Sequence, residues 1–245
     1  MSLPQTVRAP HTAIVLAAGL GKRMLPITAT LPKPLVKVAG QSLIDFALDR
    51  LHEAGMDTVV VNVHHFADML EAHVGTRTVP RILISDERAA LLETGGGVKK
   101  ALPLLGDGPF ITFNSDSLWI EGDEPNLKRL VKAWDPDRMD ILMLVAPLST
   151  SIGFDGPGDF HMDEDGRLRR RGTDPGAPFA YAGVAIVKPE LVHGTPEGAF
   201  SANAFYDRAI AKDRLYGLCM EGQWLHVGEP QAIIEAERCL AASKR

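Results

Sequence analysis

Hydrophobic and polar positions follow two regimes along the chain. Up to about residue 125, short apolar runs alternate with stretches whose apolar residues recur every three or four positions. Ala13 to Ala17 and Thr58 to Val63 (TVVVNV) predict buried strands, and Arg81 to Ile84 and Pro109 to Phe113 (PFITF) continue the set. Between them, Ser42 to Ala54 carries Leu43, Phe46, Ala47, Leu48 and Leu51 at helical spacing and stops at Gly55. Ala67 to His73 predicts a shorter helix, and Glu93 to Leu105 (ETGGGVKKALPLL) a glycine-rich helix start followed by a helix. Strands alternating with helices imply right-handed crossovers and a mostly parallel sheet covered on both faces. Ligands of such sheets sit at the carboxyl ends of the strands.

Beyond about Asn126 the rhythm changes. A helix near Leu127 to Ala133 and a strand over Asp140 to Val145 continue the first pattern, but Gly158 to Met162 and Arg167 to Arg171 predict a hairpin around Asp163-Glu164-Asp165-Gly166. Phe179 to Val187 is a longer strand, Ala202 to Lys212 a helix, and Leu215 to Met220 and Trp224 to Val227 short strands. Glu229 to Ser243 closes the chain as an amphipathic helix, with Pro230 in its first turn and Ile233, Ile234, Ala236 and Leu240 towards the core. The expectation is a single domain over 1–245 with two lobes, about 10–125 and 126–245. The second lobe is expected as an antiparallel extension over the ligand edge of the sheet.

Composition narrows the function. A chain of 245 residues with 45% hydrophobic residues can bury one large core. Its net charge of −5 argues against a general nucleic-acid binder, which needs a basic face, but permits a local basic pocket. Cys219 and Cys239 are too few for a disulfide framework or a cysteine-based zinc site. The N-terminal MSLPQTVRAPH lacks the apolar core of a signal peptide, and no apolar run approaches the roughly 20 residues of a membrane helix. A cytoplasmic protein without membrane partners is expected.

The candidate chemistry starts at Thr12 to Leu35, TAIVLAAGLGKRMLPITATLPKPL. A buried strand runs into Gly19 and Gly21, then Lys22 and Arg23, then Lys33 between Pro32 and Pro34. Glycines let backbone N–H groups converge on an anion, and three cations can neutralise several phosphate charges. A Walker A loop cannot be fitted, because Gly21-Lys22 is followed by Arg23 rather than Ser or Thr. A dinucleotide fingerprint needs a third glycine and an immediate helix, which Pro26, Pro32 and Pro34 forbid. The cations are therefore expected on an extended, proline-stiffened loop suited to a triphosphate.

These residues carry a resemblance. LAAGLGKRM…PKPL resembles the signature of the sugar-1-phosphate nucleotidylyltransferases. Glu93-Thr94-Gly95-Gly96-Gly97, Asn114-Ser115-Asp116, Gly158-Asp159-Phe160, Tyr181-Ala182-Gly183 and Trp224-Leu225-His226-Val227-Gly228 match one branch in order across nearly the whole chain. That branch is the N-acetylmuramate α-1-phosphate uridylyltransferases of bacterial cell-wall recycling. The resemblance implies an α/β, Rossmann-like three-layer fold with a smaller antiparallel sugar-binding extension, the first lobe taking the nucleotide.

It also implies a reaction in which a phosphate oxygen of the sugar 1-phosphate attacks the α-phosphorus of a nucleoside triphosphate, releasing pyrophosphate. The backbone of Ala17, Ala18, Gly19, Leu20 and Gly21, with Gly95 and Gly96, would hold base and ribose. Gly21, Lys22 and Arg23 would hold the triphosphate, and Lys33 would bridge the α-phosphate and the sugar phosphate, leaving Arg23 and Lys33 as the catalytic pair. Asn114, Asp159 and Gly183 would contact the sugar, although Asp159 also suits a turn. Asp116, at a strand's carboxyl end, would ligate Mg²⁺, with an Asx turn as its alternative.

His226 departs from the pattern, since relatives commonly have Asp there as a second metal ligand. A neutral imidazole still coordinates but favours Mn²⁺, Co²⁺ or Zn²⁺ over Mg²⁺. Three readings stay open: direct ligation, holding a metal-bound water or phosphate, or a place in a protein that binds nucleotide without turnover. The adjacent His64 and His65, Trp224, and Arg169 to Arg171 read as structural or solvated residues, and Ser201 and Asn203 as helix caps. UTP with N-acetylmuramate 1-phosphate is the favoured substrate pair. GTP with mannose 1-phosphate, dTTP or UTP with glucose 1-phosphate, and a non-catalytic nucleotide-sugar regulator are the alternatives.

Overall fold

The computed structural model describes residues 9–243. The first eight residues of the segment read above as lacking a signal-peptide core lie outside that range. β1 (Thr12–Leu16) starts the sheet, and a pair of two-residue strands, β2 (Lys37–Val38) and β3 (Gln41–Ser42), leads into α1 (Leu43–Glu53). Ser42 caps α1 by accepting from the Asp45 N–H, and Gly55 follows at φ 87°. β4 (Thr58–Val63), α2 (Ala67–Val74), β5 (Arg81–Asp86), α3 (Glu93–Leu105) and β6 (Phe110–Asn114) complete the alternation. β1, β4, β5 and β6 are mutually parallel, in the order β6-β1-β4-β5.

β7 (Ser117–Ile120) and α4 (Asn126–Ala133) then lead to β8 (Ile141–Pro147), the hairpin β9 (Phe160–Met162) and β10 (Leu168–Arg170), and the long β11 (Phe179–Val187). After α5 (Asn203–Ile210) come β12 (Leu215–Cys219), β13 (Gln223–His226) and α6 (Pro230–Ser243). The second half does not simply lie over the ligand edge: β11 inserts antiparallel between β6 and β8, and β12 runs parallel beyond β8. The result is a nine-stranded mixed sheet carrying long strands of both halves. The long apolar runs of β8 and β11 explain this, because strands buried on both faces belong inside a covered sheet. The antiparallel extension is confined to the β9–β10 hairpin and a separate ribbon, β7 with β13.

Alternate residues of each strand face two helical layers. Val15, Val61 and Phe113 pack with Leu48, Leu70 and Leu130 of α1, α2 and α4, whereas Ile14, Val60 and Ala185 pack with Val98 and Phe205 of α3 and α5. A third, smaller core joins Met24, Val36, Leu118, Leu225, Val227 and Ala236. α6 closes that core through Ala232, Ala236, Ile233 and Leu240, but Ile234, expected inward, is 45% exposed. Among the described residues no helix is long and apolar enough to cross a membrane.

Candidate active site

The carboxyl ends of the parallel strands converge on one cavity of about 390 Å³. β1 delivers Leu16 and the following Ala17 and Ala18, β4 delivers Asn62, and β6 delivers Asn114 with Ser115 and Asp116 just beyond. Register explains the meeting, since Leu16 lies opposite Asn114. Leu91, Glu93 and Thr94 at the start of α3 and Gly228 after β13 close further parts of the wall.

The loop after β1 is not extended. It folds into three successive 3-10 turns at Lys22–Met24, Ile27–Ala29 and Lys33–Leu35, and the prolines initiate rather than stiffen them: Pro26 and Pro32 carbonyls accept the closing bonds from Ala29 and Leu35. Gly21 is required twice over. Its φ is 62°, and a Cβ there would stand 2.9 Å from Thr28 Cγ2 and 3.1 Å from Lys33 Cβ. The Gly21 carbonyl accepts from both Met24 N (2.8 Å) and Thr28 Oγ1 (2.9 Å), so the turn folds back on itself. Fully buried Met24 anchors it, leaving Lys22 and Arg23 exposed at the cavity.

This folding carries Lys33 to Asp116. Lys33 Nζ donates to Asp116 Oδ2 at 2.6 Å, with the two side chains 12% and 24% exposed. Burial alone would raise the Asp116 carboxyl, but the Lys33 charge and hydrogen bond outweigh it, with His226 adding, and the net shift is downward. Asp116 is thus an ionised carboxylate on the cavity wall. His226 arrives by another route: β13 pairs with β7 so that His226 lies opposite Ser117, next to Asp116. Its ring packs edge-on against Phe154 at 5.8 Å and 5.2 Å from Trp224. Burial lowers its pKa below the ordinary 6.5 against the pull of Asp116, and Lys33 and Arg23 lower it further, which keeps the imidazole neutral near pH 7. A Cβ at Gly228 would stand 2.8 Å from His226 Nε2 and 3.4 Å from Arg23 Nη1, so the glycine leaves the space in which imidazole and guanidinium converge.

Of the residues expected in the site, Ala17, Ala18, Gly19, Gly21, Lys22, Arg23, Lys33, Asn114 and Asp116 line this one cavity. Leu20 does not, and the Ala17 N–H is already given to Asn62 Oδ1 at 2.6 Å. Gly95 and Gly96 face elsewhere: their N–H groups donate to the Phe200 carbonyl at 2.8 and 3.1 Å. A Cβ on Gly95 would stand 2.5 Å from the Phe200 ring and one on Gly96 would collide with the Gly198 carbonyl, so these glycines admit the 198–200 segment. Asp159 lies outside the cavity lining, and its carboxylate accepts from Tyr181 N of β11 at 2.9 Å. Gly183, at φ 83° in a β11 irregularity, sits against Asn114, where its missing Cβ leaves 3.1 Å to Asn114 Cβ.

Asn62, Leu91, Glu93, Thr94 and Ser115 were not anticipated. Asn62 had a readable signal, being the one amide side chain in TVVVNV, where a buried amide demands partners. His64 Nδ1 donates to the Glu87 carbonyl (2.7 Å), Trp224 is core, and Arg169, Arg170 and Arg171 pair with Asp174, Asp207 and loop carbonyls.

The comparisons agree with this geometry. Residues 12–152 match the Nucleotidyl transferase family. The chain is 49% identical over 238 residues to the N-acetylmuramate alpha-1-phosphate uridylyltransferase of Caulobacter vibrioides, covering 96% of this chain and 98% of that protein. It is 34% identical to the protein of the same name from Neisseria meningitidis serogroup B, over 95% of this chain and 99% of the relative. In fold it is similar to a crystal structure of UDP-glucose pyrophosphorylase complexed with UDP-glucose, with a TM-score of 0.77 at 20% identity over 96% of this chain and 100% of that one. A cationic turn after β1, a carboxylate beyond β6 and a full-length match to two uridylyltransferases lead to one conclusion: the chain belongs to the nucleotidyl transferase family.

Proposed function

We propose that the protein transfers UMP from UTP to N-acetylmuramic acid α-1-phosphate, giving the UDP-sugar and pyrophosphate. The observation that carries this reading is the Lys33–Asp116 contact at 2.6 Å, which joins the cationic turn to the end of β6 inside one cavity. The choice of sugar and base leans on the full-length likeness to the Caulobacter and Neisseria uridylyltransferases.

Little covalent chemistry falls to such a protein; it aligns the attack and screens charge. Gly19, Gly21 and Lys22 cradle the β- and γ-phosphates, and Arg23 clamps two oxygens at once with its planar guanidinium. Lys33, at the junction, holds the incoming sugar phosphate against the α-phosphorus and counters the charge that grows on its oxygens. Asn114, with its orientation fixed by the room at Gly183, points the sugar.

Members of this family use a divalent metal ion. The donor set here fits one as a half-site: an ionised carboxylate at Asp116 and a neutral imidazole at His226. Among the described residues no group of three or more His, Cys, Asp and Glu is placed to hold a metal ion, so phosphate oxygens would complete the shell. Asp116 would hold Mg²⁺, and the imidazole of His226 would extend the choice to Mn²⁺ or Co²⁺. When bound, the metal supplies positive charge to the α-phosphate.

The test is pyrophosphate release from a panel of UTP, GTP, CTP and dTTP against N-acetylmuramate, N-acetylglucosamine, glucose and mannose 1-phosphates, each with Mg²⁺ and Mn²⁺. Release confined to UTP with N-acetylmuramate 1-phosphate is the expected result. Release with GTP and mannose 1-phosphate instead would move the assignment, and nucleotide binding without release from any pair would point to a regulator.

A further inference from the structure

The Ala17 N–H, at the head of the cradle, starts a chain of hydrogen bonds that crosses the protein interior. It donates to Asn62 Oδ1 at 2.6 Å; Asn62 Nδ2 donates to Glu87 Oε1 at 2.7 Å; Glu87 Oε2 accepts from Leu92 N at 3.1 Å. Glu87 is completely buried and Asn62 is 2% exposed. A buried carboxylate is costly unless its oxygens are satisfied, and the described residues give Glu87 two N–H donors and no ion pair.

The backbone of Glu87 is held as firmly: its N–H donates to the Val63 carbonyl at 2.8 Å and its carbonyl accepts from His64 Nδ1 at 2.7 Å. The third glycine of the α3 start belongs to the same arrangement. A Cβ on Gly97 would stand 2.8 Å from Asn62 Nδ2 and 2.9 Å from Glu87 Oε1, so only glycine lets the helix pass over this pair.

One end of the chain of bonds is cavity wall and the other adjoins it. Ala17 and Asn62 lie on one side, and Leu92 is flanked on the other by Leu91 and Glu93. Glu93 adopts φ 58°, a left-handed conformation that a non-glycine residue keeps only when its surroundings impose it. The bond from Leu92 N to Glu87 immediately precedes that turn.

We propose that Asn62 and Glu87 are a positioning pair: they fix the distance between Ala17 and the 91–94 turn, and so set the width of the cavity wall that carries no cation. This rests on the reading that the cavity takes a nucleoside triphosphate, whose nucleoside would lie against that wall. Neither residue moves a proton or touches the reacting phosphorus. They act through the two backbone segments they tie together.

The polarity of the pair gives a test that a merely structural role would not pass. Asn62→Asp keeps an acceptor for Ala17 N but sets two carboxylates against each other. Glu87→Gln sets an amide N–H against either Asn62 Nδ2 or Leu92 N. The double variant reverses donor and acceptor between the two side chains and satisfies every partner: the introduced aspartate accepts from Ala17 N and the introduced glutamine amide, whose oxygen accepts from Leu92 N.

Steady-state kinetics on the full chain should show each single substitution raising the KM for UTP about tenfold or more, with the KM for the sugar phosphate changed less than about twofold. The double variant should return the KM for UTP to within about threefold of wild type. Single variants at the wild-type KM, a double variant no better than the worse single, or a recovered Tm without a recovered KM would each overturn the proposal. Wild-type protein that releases pyrophosphate with no nucleotide refutes the underlying reading instead, and Tm recovery in the double variant then reports separately whether the pair is complementary.

Discussion

Lys33 and Asp116 stand 83 positions apart in the chain, yet their side chains meet at 2.6 Å on the cavity wall. The ammonium holds the carboxylate ionised, and the proposed function gives that ammonium the incoming phosphate. Lys33→Ala should therefore lower kcat by about 100- to 1,000-fold, the usual effect of deleting one preorganised charge at a reacting centre, and should lower the Tm as well, because it leaves the Asp116 carboxylate without its partner. Rapid-quench assays at saturating substrates check this; a variant within about twofold of wild type would remove Lys33 from the mechanism. At His226 the neutral imidazole predicts a metal preference rather than a loss of turnover. His226→Asp should stay active with its optimum moved towards Mg²⁺, and His226→Ala should lose activity with both metals. Metal titrations of the rate decide it, and wild-type rates for His226→Ala under Mg²⁺ and Mn²⁺ would exclude a metal role.

At the scale of elements, the ends of three strands are stapled by one carboxylate. Asp140, just before β8, accepts from Lys188 Nζ after β11 (3.0 Å) and from Arg214 Nε before β12 (2.8 Å), with its side chain 10% exposed. Burial would raise its pKa, but the bonds from Arg214 and Lys188 outweigh that and lower it. A carboxyl depressed in the folded state stabilises the protein above the ordinary carboxylate range, and that contribution is lost as pH falls through the folded pKa. Asp140→Asn should therefore cost about 2 kcal/mol at pH 7, and that cost should shrink as pH falls below the ordinary carboxylate range, as denaturant unfolding followed across pH would show. A constant difference across that range would contradict the sign of the shift.

The same scale shows what the sequence could and could not reveal. Nearly every strand and helix was legible, because β-branched runs such as TVVVNV and heptad-like spacing such as that of α1 are local signals. β7 and its pairing with β13 were not, because a four-residue strand directly after Asp116 is stabilised by a partner more than a hundred positions away. The compact turns of the cradle escaped for a related reason. Proline density was read as stiffness, whereas buried Met24 and the contacts of Thr28 fold the segment back. Gly95 and Gly96 illustrate the limit of motif reading: the glycines are needed, but for the approach of Gly198 and Phe200.

Over the whole molecule, three cores divide the labour. Two hold the sheet between its helical layers, and the third joins Met24 of the cradle, Leu118 of β7, Leu225 of β13 and Ala236 of α6. The C-terminal helix thus supports the segments that carry Arg23, Asp116 and His226, although it contributes no side chain to the cavity wall. The function proposed for this arrangement has one chemical outcome, displacement at the α-phosphorus by a sugar phosphate held at Lys33. Phosphorus NMR of products formed from a sugar 1-phosphate with heavy-oxygen label in its phosphate tests that most directly. The account predicts labelled oxygen in the bridge between the two phosphorus atoms of the nucleotide-sugar, with none in pyrophosphate; label appearing in pyrophosphate, or a bridge free of it, would contradict it.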